Sequence, residues 1–200
     1  MPNASSDDSL PSGFVVDRLD VLVNRGSKFG CIYADVPWRY DRAPRGATPY
    51  RTMSLEEIAA LPVPALTLPN AHLHFWATHS FLFEARDILT AWGFEYRGVF
   101  VWAKPQLGTG YYWRSSVEFL VLGVRGKCTF RDRSIRNWLI HDRADHSRKP
   151  EAVRRLIHRV SPGPYLELFG RRAISGWTIF GDQVDCANLF DDDIVILKEE

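Results

Sequence analysis

At 200 residues the chain is long enough for one domain with a full core, and a net charge of +1 means that charge alone announces no polyanion partner. Its three cysteines (Cys31, Cys128, Cys186) are far apart and form no Cys-x-x-Cys pair, which argues against a zinc site or a disulfide framework. No apolar run approaches membrane-spanning length, and the polar, acidic start (Ser5, Ser6, Asp7, Asp8) is unlike a signal peptide, so the expectation is a soluble cytoplasmic protein with reduced thiols.

Residues 1–13, rich in Ser, Asp, Pro and Gly, are expected to form a mobile tail. Residues 14–23 mix apolar side chains with Asp17, Arg18 and Asp20 and read as a short strand or turn leading into a sheet. Cys31-Ile32-Tyr33-Ala34 is an apolar run between turn residues and reads as a central parallel strand. It ends on Asp35-Val36-Pro37-Trp38, at the strand end where open α/β sheets bind ligands. A carboxylate, a constrained carbonyl and an indole within four residues form a kit for gripping a planar base with an amino group. Asp and Pro are also ordinary turn residues and Trp is often core, so spacing alone leaves both readings open.

Residues 40–52 hold Pro44, Gly46 and Pro49 without apolar periodicity and read as a loop over the candidate site. Ser54 with Glu57 predicts a capping box for a helix over 55–61. A strand is predicted at 71–78. A helix follows, capped by Ser80, with Phe81, Ala85, Ile88, Leu89 and Trp92 on one face and Gly93 as its stop. Strands are predicted at 94–103 and 118–124, joined by a loop rich in Gly and aromatics (106–114). Residues 127–149 read as irregular and basic, and Pro150 opens a helix through Val160. Strands at 165–170 and 176–183 complete the series, and residues 186–200 form an acidic tail. Strands interleaved with helices give an α/β, three-layer sandwich with a mostly parallel sheet, in a single domain over 14–185.

Charge is unevenly spread. Arg39, Arg42, Arg45 and Arg51 face only Asp41 in the sequence between them, and basic residues dominate from Arg125 to Arg159. This pattern is compatible with nucleic acid, and equally with a solvated arginine-rich surface. Strand ends carry further polar and aromatic candidates: Thr78, His79, Trp102, Lys104, Glu118 and Arg171, of which Thr78 and His79 taken alone read as solvated loop residues. The six histidines show no convincing metal spacing, so no metal is expected. The absence of a Gly-x-Ser-x-Gly elbow, a Walker loop and a Gly-x-Gly-x-x-Gly turn weakens hydrolase, phosphate-loop and dinucleotide readings.

Taken together, seven segments in order resemble the MT-A70 family of N6-adenine methyltransferases, over roughly residues 14–183. The family's Asp-Pro-Pro-Trp corresponds to Asp35-Val36-Pro37-Trp38, and its Tyr-x-Thr-Met-Ser to Tyr50-Arg51-Thr52-Met53-Ser54. Phe75-Trp76-Ala77-Thr78, Val101-Trp102-Ala103-Lys104-Pro105, Glu118 with Leu122-Gly123-Val124-Arg125-Gly126, His146-Ser147-Arg148-Lys149-Pro150 and Glu167-Leu168-Phe169-Gly170-Arg171 also match. One departure stands out: Val36 replaces the first proline, keeping the carbonyl but not the ring that fixes φ.

The resemblance implies a Rossmann-like methyltransferase fold and S-adenosylmethionine as methyl donor. It implies catalysis at Asp35, Val36, Pro37 and Trp38, with Asp35 and the Val36 carbonyl accepting the two amino hydrogens of adenine and Trp38 stacking on the base. Asp17, Asp35, Lys149, Arg171, Asp182 and Gln183 would hold the cofactor, Asp182 standing where the family usually has Asn. Tyr50, Arg39, Trp102, Lys104 and Glu118 would meet the substrate. The implied partner is nucleic acid, DNA ahead of RNA, together with a homo- or heterodimeric partner, in a bacterial or phage-infected cell. A non-catalytic, nucleic-acid-binding subunit that keeps the fold is the alternative, with Val36 in its favour. A methyltransferase for a free base is a third reading, against which the basic loops argue.

Overall fold

A computed structural model describes residues 14–40, 51–108, 112–143 and 148–181, and the backbone of 195–197. The predicted 1–13 tail lies outside the described residues.

Among the described residues, nine strands form one sheet. In chain order they are β1 (Phe14–Val16), β2 (Phe29–Ala34), β3 (Thr67–Ala77), β4 (Glu95–Ala103), β5 (Val117–Arg125), β6 (Trp138–Ile140), β7 (Tyr165–Leu168), β8 (Trp177–Phe180) and β9 (Val195–Leu197). Across the sheet the order is β6-β4-β5-β3-β2-β7-β8-β1-β9, so β2 sits at the centre, as its apolar run predicts. Only β5 runs antiparallel to its neighbours β3 and β4; the other pairings are parallel. From β2 the chain crosses to β3 on one side and later returns to β7 on the other. The crevice above β2 and β7 is therefore a topological switch point, where α/β sheets bind ligands.

Alternation along the strands splits the core in two. Ile32, Ala34, Leu73, Phe75, Leu166 and Leu168 face the layer of α1 (Leu19–Asn24), α2 (Leu55–Ala59), α3 (Val63–Leu66) and α4 (Leu82–Ala91). Cys31, Tyr33, Trp76, Tyr165 and Ile179 face the opposite layer, whose one helix among the described residues is α5 (Glu151–Val160), packed through Val153 and Ile157. All β2 residues are buried, which explains why its sequence shows no polar alternation.

Several local expectations hold and others shift. The capping box at α2 is complete: the Glu57 N–H donates to Ser54 Oγ at 3.2 Å, and the Ser54 N–H donates to Glu57 Oε2 at 2.7 Å. Gly93 ends α4 with a φ of 80°, the left-handed conformation that favours glycine. Ser80 does not cap α4. It lies in a 3-10 turn (His79–Phe81), and the helix begins after Phe81, whose ring is tied up in an aromatic cluster. Part of the segment read as strand or turn is α1, because Leu19 and Leu22 lie one turn apart and bury together. The basic stretch supplies β6, and the segment read as an acidic tail supplies β9, which pairs with β1. Among the described residues, no helix is long and apolar enough to cross a membrane.

Candidate active site

Six neighbouring strands bring polar residues to one edge of the sheet. Asp35 follows β2, Thr78 follows β3, Phe169-Gly170-Arg171 follow β7, Asp17 follows β1, Phe180 ends β8, and Glu118 opens the antiparallel β5. The register explains the convergence: Ala34 pairs with Phe75 and Leu168, Leu168 with Phe180, and Phe180 with Val16. These residues, with Val36, Pro37, Trp38, Tyr40, Arg51, Met53 and Lys149, line a cavity of about 400 Å³.

The floor of the cavity is a row of alternating charges. Lys149 Nζ lies 2.7 Å from Asp35 Oδ2 and 3.3 Å from Glu118 Oε2, and Glu118 Oε1 in turn accepts from Lys104 Nζ. Lys149 also sits 5.5 Å from the centre of the Trp76 ring, and Lys104 4.4 Å from that of Trp102, so each ammonium is clasped by carboxylate and indole. Burial alone would push the Lys149 ammonium down, but the adjacent Asp35 and Glu118 carboxylates hold it above its ordinary value. Burial works against the Glu118 carboxylate too, yet Lys149 and Lys104 outweigh it and hold that group below the usual range. Lys104 goes the other way: burial dominates and lowers it despite Glu118. Asp35 keeps 34% of its side chain exposed to the cavity.

The turn after β2 is pinned on both sides. The Trp38 N–H donates to the Val36 carbonyl at 3.0 Å, across Pro37. The Met53 N–H donates to the Pro37 carbonyl at 2.8 Å, and the Arg39 N–H to the Met53 carbonyl at 3.0 Å. The Val36 side chain is buried in the core, which steadies a turn lacking the family's first proline ring. Trp38 is also a core residue. One ring face is stacked on Phe81 at 4.6 Å, and its edge meets Phe75 at 5.5 Å, so the indole serves the cavity as a fixed wall. On the other side of Asp35, Phe169 has a φ of 61°, a left-handed conformation rarely adopted by an aromatic residue and of a kind that clusters at functional sites. Gly170 follows in tight quarters: a Cβ there would meet Ile179 Cγ2 at 2.5 Å and Glu167 Cδ at 3.1 Å.

Of the predicted site residues, Asp17, Asp35, Val36, Pro37, Trp38, Glu118, Lys149 and Arg171 line this one cavity. Lys104 and Trp102 do not; Trp102 is buried, its indole N–H donating to the His141 carbonyl at 2.8 Å. Arg39 does not line it either, and pairs with Glu57 at 2.9 Å. Tyr50, Asp182 and Gln183 lie outside the described residues. The cavity also takes in Tyr40, Met53, Thr78, Phe169 and Phe180. The available signal was their place at or just past strand ends; for Thr78 the solvated-loop reading fails, since its Oγ1 lies 3.2 Å from the Tyr40 hydroxyl at the cavity.

A family model described as MT-A70 matches residues 29–183. The chain belongs to the MT-A70 family. It is 32% identical to the type II methyltransferase M.MunI of Mycoplasma sp, over 78% of each chain. It is 30% identical to a putative N(6)-adenosine-methyltransferase MT-A70-like protein of Medicago truncatula, over 88% of this chain and 29% of that one. It is 28% identical to the human N(6)-adenosine-methyltransferase catalytic subunit METTL3, over 96% of this chain and 35% of that one. The chain thus spans about a third of the length of the two adenosine-methyltransferase relatives and most of M.MunI. The family match covers β2 through β8, which build the cavity apart from Asp17 after β1.

Proposed function

We propose that this chain is an S-adenosylmethionine-dependent methyltransferase acting on the N6 amino group of adenine in nucleic acid, with DNA ahead of RNA. The observation that carries the proposal is Asp35: a partly exposed carboxylate at the switch point, held by Lys149 and followed by a pinned backbone carbonyl. The names of the MT-A70 relatives, adenosine and adenine N6-methyltransferases, give the reaction class. DNA is favoured because M.MunI, a type II methyltransferase, is the relative above whose length the chain covers most fully, and because the resembled family includes DNA adenine methyltransferases.

The cavity fits the donor by size and chemistry. A volume of about 400 Å³ falls in the range of small-molecule sites. Arg171 and Lys149 suit a carboxylate, Asp17 suits hydroxyl or ammonium groups, and Phe169 and Phe180 offer apolar walls. S-adenosylmethionine, when bound, supplies an electrophilic methyl group. Asp35 and the second lone pair of the Val36 carbonyl accept the two hydrogens of the adenine amino group. That pairing favours a tetrahedral nitrogen and stabilises the positive charge that develops on it. Lys149, 2.7 Å away, fixes the direction of Asp35, so the carboxylate arrives organised rather than having to turn. Once the nitrogen is alkylated, Asp35 is the nearest base for the proton it sheds. An adenine in duplex must leave the stack to reach this depth.

The test is to incubate the purified chain with S-adenosylmethionine and adenine-containing DNA or RNA, digest the product, and quantify nucleosides by mass spectrometry. N6-methyl-deoxyadenosine is expected. A folded chain that binds the donor yet yields no methylated adenine on any nucleic acid would overturn the reading.

A further inference from the structure

The β4–β5 connection leaves the sheet at the same edge as Asp35, because β3 is parallel to β2 and antiparallel to β5. This hairpin is held firmly at its base. The Lys104 N–H donates to the Ser116 carbonyl at 2.7 Å and the Gly108 N–H to the Ser115 carbonyl at 2.8 Å. Ser115 Oγ lies 3.3 Å from His79 Nδ1, next to the cavity-lining Thr78. Gln106 ties the hairpin to the segment after β6, through Asp142 at 2.8 Å and the Arg143 N–H at 3.3 Å.

On this fixed base stand two rings with no role in the fold. Tyr112 is 96% and Trp113 90% exposed. Five of the chain's seven tryptophans are at most 7% exposed, and Trp138 is the other exception at 47%. Two adjacent aromatics held in water gain no burial energy. Two arginines stand beside them. Arg143 sends its guanidinium against the Gly108 backbone, and Arg114 follows the pair. Across the cavity, Arg39 and Arg51 both pair with Glu57, and the neighbouring Glu56 carboxylate also feels Arg39.

We propose that Tyr112 and Trp113 form a stacking platform for the unpaired bases next to the target adenine, with the arginines on both sides of the cavity tracking the phosphates. The proposal rests on the nucleic-acid reading above and adds to it where the strand lies. Aromatic faces flanked by cations are what single strands bind, since every base offers a π-face and every linkage a charge.

The test uses the full chain, its Tyr112→Ala/Trp113→Ala double variant and the conservative Tyr112→Phe/Trp113→Phe variant. The probe is a single-stranded, adenine-containing oligonucleotide of about 16 nucleotides. The alanine pair is expected to weaken oligonucleotide binding and raise its KM by at least about fivefold, the least that one lost stacked base predicts. The phenylalanine pair is expected to restore most of the loss, and S-adenosylmethionine affinity is expected to be equal in all three. If the wild type methylates DNA and the alanine pair binds it equally well, the platform is wrong and the catalytic reading stands. If the wild type methylates nothing, the catalytic reading fails and the platform falls with it. If the alanine pair turns a wild-type dimer into a monomer while oligonucleotide binding holds, the rings belong to a contact between copies.

Discussion

Strands β2 and β3 bury two polar clusters, and the contrast between them separates a site from a strut. At the strand ends, Asp35, Lys149, Glu118 and Lys104 alternate in sign and face a cavity. Farther back, the buried Ser161 hydroxyl lies 2.8 Å from both His72 Nδ1 and His74 Nε2, whose strand neighbours are Cys31 and Tyr33. Burial pushes the His74 imidazolium down to about 3 and the Cys31 thiol well up, so this second cluster is neutral and unreactive. Both clusters are polar and both are packed in, so polar burial alone does not mark chemistry. What marks it is a row of paired opposite charges facing a cavity at the open end of parallel strands.

The largest effect that would sharpen this contrast is at Asp35. The Asp35→Asn variant keeps the size and loses the charge, and its rate of labelled methyl transfer to adenine is expected to fall by about 10²–10³. Lys149→Met comes next, because it strands two carboxylates. Urea unfolding is expected to show a loss of about 2 kcal/mol, less than for a fully sealed pair because Asp35 is 34% exposed, along with weaker S-adenosylmethionine binding by calorimetry. Gly170→Ala forces a Cβ toward Ile179 and Glu167; a loss of about 1–3 kcal/mol in the same assay is expected, with a raised KM for the donor as Arg171 is displaced.

The neutral cluster makes its own prediction in acid. His74 is held unprotonated when folded, whereas an unfolded histidine takes up its proton near 6.5. The unfolded chain therefore binds more protons below that point. The contribution is complete above pH 6.5 and declines as pH falls toward about 3, with a slope of about 1.4 kcal/mol per pH unit for one such group. Urea midpoints measured from pH 7 down to pH 5 check this, and a His74→Gln variant is expected to flatten the slope. The smallest effect is at Val36. Val36→Pro restores the family's ring while leaving the carbonyl in place, and the methyl-transfer rate is expected to change by less than about threefold, since the Met53 bonds already hold the turn.

Much of this contrast is legible in the sequence, and the parts that are not have physical reasons. The run from Cys31 to Ala34 marks the central strand, and Ser54 with Glu57 marks its helix start, because each signal is local. Lys149 lies 114 residues from Asp35, and no spacing rule joins them; only the family resemblance brought both into one expected site. Trp102 and Lys104 carry a matching segment, yet the structure gives one to the core and the other to the far end of the ion row, since a motif preserves neighbours as well as contacts. Ser80 looks like a cap but loses that role to an aromatic cluster of Trp38, Tyr40 and Phe81, which no local pattern foretells. The Ser161 cluster leaves no sequence signal, because its hydroxyl lies 87 residues from one histidine and 89 from the other.

The most direct test compares methyl transfer per folded molecule in Asp35→Asn and Ser161→Ala. Transfer is expected to collapse in the first and to stay near the wild-type level in the second, even though Ser161→Ala lowers stability. Equal losses in both, or full transfer by folded Asp35→Asn, would contradict the assignment of the reaction to the charged strand-end cluster.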